Sequence, residues 1–64
     1  MKLYKHPKWK DVAVKINNYS PDTKLYGVIY YNIHSLHVAG YPLNIGEDKL
    51  KIDNLNDWEV IEIE

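Results

Sequence analysis

Between residues 11 and 17 the chain reads DVAVKIN, and the apolar positions alternate: Val12, Val14 and Ile16 fall on one side, Asp11, Ala13 and Lys15 on the other. A period of two marks a strand with one dry and one wet face, because successive side chains of extended backbone point in opposite directions. The same pattern recurs along the chain. LYGVIYYNI (25–33) is crowded with β-branched and aromatic residues and has no helical stripe. Its apolar residues occupy both parities, so it is expected to be buried on both faces, with Gly27 marking a bulge or a close backbone approach. LHVAGYPLNI (36–45) alternates again through Leu36 and Val38, bends at Gly40-Tyr41-Pro42, and continues through Leu43 and Ile45. LKI (50–52) and WEVIEIE (58–64) supply two further short strands, the last slipping parity between Val60 and Ile61.

The connections between these runs are short. NYSPDTK (18–24) is a turn around Pro21-Asp22, GEDK (46–49) reads as a hairpin turn, and DNLND (53–57) as a turn with one cycle of 3₁₀ helix. Five short strands so connected imply an all-β fold, a small five-stranded barrel with one short 3₁₀ turn before the last strand. The expected organisation is one domain over residues 1–64: a basic and aromatic N-terminal segment at 1–10, then the barrel at 11–63.

The order of elements resembles the SH3-like barrel. SPDT stands for its long first loop, GEDK for its distal hairpin, and NLNDWEVIEI for the helical turn and closing strand. The resemblance covers residues 11–63 and implies a fold only. The ALYDY-like opening and paired tryptophans of signalling SH3 domains are absent, so proline-peptide binding is not implied. A composition rich in Asn, Lys, Ile and Tyr and without Arg is also similar to that of small bacteriophage proteins, which implies a phage protein modulating a host factor.

Size restricts what such a chain can do. Burying about 60% of the unfolded surface contributes roughly 100 kcal/mol, and ordering the backbone and side chains costs about as much. With no cysteine there is no disulfide to widen the margin, and no thiol nucleophile or thiolate metal site. The uncharged stretch from Leu25 to Gly46 is long enough to span a bilayer, but Asn32, His34, His37, Gly40, Pro42 and Asn44 rule out a lipid-facing helix. MKLYKHPKWK places charge and proline where a secretion signal needs an apolar core, so the expected location is cytoplasmic.

Catalytic apparatus is not expected. No motif sets Ser20, Thr23, Ser35 or a tyrosine beside a base, and there is no glycine-rich phosphate loop. His34 and His37 would sit at one end of a hairpin, two ligands where zinc needs three or four, so neither metal nor cofactor is expected. The charge pattern says more. Residues 1–24 carry six Lys against Asp11 and Asp22, a balance of +4; residues 47–64 carry seven acids against Lys49 and Lys51, a balance of −5. Lys2, Lys5, Lys8 and Lys10 are interleaved with Tyr4, His6 and Trp9, a vocabulary suited to single-stranded nucleic acid. The alternative is a segment whose Trp9 plugs the open end of the barrel. The glutamates of EVIEIE would shield a terminal strand from pairing with other chains.

The expected function is therefore that of a non-catalytic module binding another protein through Tyr19, Tyr26, Tyr41, Trp58 and Trp9, since Tyr and Trp bury much area with few rotors to freeze. Nucleic-acid binding through the four N-terminal lysines is the first alternative. The second is a structural protein that self-associates, for which the thin stability margin provides the motive.

Overall fold

The computed structural model describes residues 1–63. Its elements run β1 (Lys2–Lys5), β2 (Val12–Ser20), β3 (Leu25–Asn32), α1 (His34–Ala39), β4 (Leu43–Leu50), a 3₁₀ turn (Leu55–Asp57) and β5 (Glu59–Glu62). The five strands form one antiparallel sheet in the order β4-β3-β2-β1-β5. No ladder joins β4 to β5, so the sheet is open, and the molecule measures 39 × 21 × 20 Å. The mostly-β architecture, the number of strands and the 3₁₀ turn agree with expectation, but the five strands are not the expected five: LKI (50–52) forms none of its own, Leu50 being the last residue of β4, and β1 makes up the number. The strand expected to end at Glu64 is seen through Glu62, and its last residue lies outside those described.

The N-terminal segment departs most from expectation. Residues 2–5 are not an appendage but a strand between β2 and β5, and Leu3 is completely buried. Four residues were too few to show a period, and lysines at both ends masked the one core leucine. The first and last described residues meet beyond this ladder: Met1 N donates to Ile63 O, and Ile63 N–H returns a bond of 2.7 Å to Met1 O.

The DVAVKIN strand is longer than expected, and it is closed on both faces where one was expected wet. Val14 and Ala13 point to opposite sides and are both fully buried. A central strand has neighbours on each side, and a small residue such as Ala13 is readily covered by their side chains, Tyr31 beside it among them. One row of paired residues crosses the whole sheet on the Val14 face: Val60, Tyr4, Val14, Tyr30 and Gly46. The first loop is a tight hairpin turn, with Lys24 N–H bonded to Ser20 O at 2.8 Å and Lys24 in the left-handed region (φ 59°). Past it, a bulge between Ile16 and Asn18 turns Asn18 toward Gly27, where an added Cβ would come within 2.4 Å of Asn18 Oδ1. Close approach is thus the reason for that glycine.

Residues 34–39 are helical, whereas a hairpin end at His34 and a strand from Leu36 were expected. Asn32 Oδ1 accepts the His34 N–H at 2.9 Å, and the Ser35 hydroxyl lies between the carbonyls of Asn32 and Tyr41, at 2.8 and 2.6 Å. These side-chain bonds to backbone start a turn against the β propensity of the sequence. Gly40 ends the helix at φ 80°, its N–H bonded to Leu36 O. GEDK likewise forms no hairpin. Gly46, at φ 134°, takes up the bulge opposite Tyr30 and Tyr31, so β4 continues through Glu47, Asp48 and Lys49.

Among the described residues only Leu3, Ala13, Val14 and Val28 are fully buried hydrophobics, and the total surface of 4685 Å² exceeds by about 400 Å² the size-scaling value for such a chain. With so few anchors, Leu3→Ala is expected to cost about 3 kcal/mol and leave little folded protein at room temperature. Val60→Ala, on the outer strand and half exposed, is expected to cost under about 1 kcal/mol. Urea titration followed by circular dichroism compares the two; equal midpoints would contradict a core built around β1.

Candidate functional site

The rings expected to form a binding face are divided among three places. Tyr19 and Tyr26 face each other across the β2–β3 ladder near the hairpin tip, ring centroids 4.7 Å apart. Trp9 and Trp58 meet in a T-shaped pair at 5.0 Å and 79°. Tyr41 lies alone between α1 and β4 and is 72% exposed. The surface near the first loop and last strand is thus not one patch.

The tryptophan pair follows directly from the ladder. Lys5 lies opposite Glu59, so the residues just beyond, His6 and Trp58, must emerge together. His6 packs edge-on against Trp58 at 5.1 Å and tilted against Trp9 at 5.8 Å. A turn at residues 6–9 holds Trp9 in place. Trp9 N–H donates to His6 O at 2.9 Å, and Lys8 N–H to His6 Nδ1 at 3.0 Å. The 3₁₀ turn does the same for Trp58: its N–H bonds Leu55 O, while Asn54 Nδ2 donates to Asp57 Oδ2. Trp9 also leans on Tyr30 at 6.2 Å, covering the face of an open sheet rather than plugging a barrel. Beside Trp9 and Tyr30 runs a groove of about 480 Å³ that Lys10, Asp11 and Val12 complete.

The four N-terminal lysines also divide. Lys2 and Lys5 sit opposite Glu62 and Glu59, and the Lys5 ammonium is 3.9 Å from Glu59. Folding thus lays the basic end of the chain against the acidic end. Lys8 and Lys10 lie on the turn between β1 and β2, exposed, and form no ion pair among the described residues. His34 and His37 both fall on α1, and among the described residues no three His, Asp or Glu side chains gather as a metal site would need. No helix there is long and apolar enough to cross a membrane.

The sequence reading missed one group of side chains. Val38 (77% exposed), Leu43 (59%) and Ile45 (51%) join Tyr41 along α1 and the start of β4. The signal is the absence of charge from Leu25 to Gly46, which burial within paired strands explains equally well. Because β4 is an outer strand, nothing in the sheet covers these residues. Within β4, Asn44 Oδ1 accepts the Gly46 N–H at 2.9 Å and Asp48 Oδ1 the Lys49 N–H at 2.7 Å.

No protein-family description, no curated protein and no solved structure matches this chain.

Burial, and secondarily the Asp48 carboxylate, raise the Tyr30 phenol above its ordinary value near 10. Folding therefore favours the protonated phenol. That stability is complete below the unfolded value and is lost as pH rises through the folded one. Absorbance titration should show a tyrosine phase displaced to higher pH, and Tyr30→Phe should remove that phase and flatten the alkaline decline in stability. An unchanged alkaline slope in the variant would refute the assignment.

Proposed function

We propose that this protein is a small non-catalytic module that binds another protein through the apolar side chains of Val38, Tyr41, Leu43 and Ile45. One observation carries the reading: four large apolar residues, all at least half exposed, lie close together in the chain on α1 and the outer strand. Isolated exposed apolar residues need no explanation, whereas a group of them on a molecule with this little core does. The SH3-like order of elements belongs to the same proposal, with a hairpin, a meander and a helical turn before the last strand serving as a frame for surface contacts. Tyr41 is the expected centre of the contact, because a Tyr ring combines a large apolar area with a polar tip. The contact is made by these side chains, which stand exposed on α1, the link after it and β4.

Photo-crosslinking in cells that make the protein tests the reading. A benzophenone amino acid at position 41 is expected to trap one protein species, and the same probe at position 19 none. Tyr41→Ser with Leu43→Ser should weaken that complex by roughly 30-fold or more while leaving the melting temperature of the module nearly unchanged. Equal trapping at both positions, or a complex indifferent to the double substitution, would refute the proposal.

A further inference from the structure

We propose that the groove over Trp9 and Tyr30 takes a base of a single-stranded nucleic acid, with the phosphates of the strand passing Lys8 and Lys10. The site shares no residue with the apolar patch on α1 and β4, so the two proposals stand or fall separately.

Three observations converge on it. The first is a held ring. Trp9 is fixed by the turn bonds to His6, by the T-shaped contact with Trp58 and by Tyr30, so little freedom remains to be lost when a base stacks on it. The second is shape: the groove of about 480 Å³ is lined by two aromatic rings and Val12 and stands open at its mouth, as a stacking platform for successive bases must. The third is the charge left over after folding. Lys2 and Lys5 face Glu62 and Glu59, whereas Lys8 and Lys10 bracket Trp9 in the chain and form no ion pair among the described residues. Lys10 lines the groove itself, while Lys8 lines a second pocket with Trp58, Lys51, Asp53 and Asp57; cations near a stackable ring suit a ligand that alternates planar bases with anionic phosphates.

Asp11 lines the same groove and opposes an anion. Its sign makes the proposal sharper. The Asp11 main chain accepts the Ile33 N–H at 2.7 Å, but its side chain forms no hydrogen bond or ion pair among the described residues, so Asp11→Asn changes the charge without disturbing the ladder.

The chain has two tryptophans, Trp9 lining the groove and Trp58 packed against Trp9, so intrinsic fluorescence reports occupancy. The probe is oligothymidylate about twelve nucleotides long, at low salt. Saturable quenching is expected, weakened on the order of tenfold by Trp9→Leu and roughly three- to tenfold by Lys8→Gln with Lys10→Gln, and strengthened by Asp11→Asn. Lys8 and Lys10 are exposed, so their double variant should keep the wild-type dichroism spectrum even where Trp9→Leu does not fold. Failure of the oligonucleotide to quench at low salt would overturn the proposal. So would binding indifferent to the lysine and Asp11 changes. Equal quenching by heparin would show a response to charge without stacking, and equal affinity for thymidine monophosphate would show a mononucleotide pocket rather than a path for a strand; either overturns it as stated.

Discussion

The structure depends on the ladder between its first and last strands. β1 pairs with β5 over four consecutive residues and with β2 on its other side, and bonds between Met1 and Ile63 extend the β1–β5 ladder at one end. Contacts between the two ends of a chain carry the largest loop-closure cost, so they persist only with a strong local return. Here the return is Leu3, which is fully buried once the ladder has formed. The far end of the same ladder determines where the rings go. Since Lys5 faces Glu59, His6 and Trp58 leave their strands side by side, and Trp9 joins them one turn later.

Electrostatics follow from the same pairing. The linear sequence is strongly dipolar, but the fold lays its basic beginning along its acidic end and turns two of the six N-terminal lysines into cross-strand partners of glutamates. Such exposed pairs contribute little to stability. Their consequence is spatial: the positive charge near the aromatic cluster comes from Lys8 and Lys10 on the turn rather than from the strand. The sheet has two outer strands of different character. β5 carries Glu59 and Glu62, while the start of β4 exposes Leu43 and Ile45.

Much of the architecture was legible in the sequence. Val12, Val14 and Ile16 identified β2, the β-branched and aromatic run from Leu25 identified β3, and the polar cluster DNLND identified the 3₁₀ turn. Misreadings arose where one side chain outweighed the pattern. Asn32 and Ser35 bond backbone groups and turn HSLHVA into a helix despite its alternating apolar residues. Gly46 looks like a turn glycine, yet a bulge uses the same positive φ without reversing the chain. Of the expected binding residues, Trp9 and Trp58 come together, while Tyr19 and Tyr26 form a separate pair and Tyr41 joins aliphatic neighbours that no ring count would have revealed.

Along its length alone, the chain already has to make strands around a small core, with neither disulfide nor thiolate chemistry open to it. Those are consequences of residue spacing and side-chain type, which act locally. Tertiary structure alone decided that residues 2–5 lie inside the sheet, that the sheet stays open, and which lysines and rings remain available to a partner. Each of those depends on which strand pairs with which, and pairing is a choice among distant segments that no local period encodes.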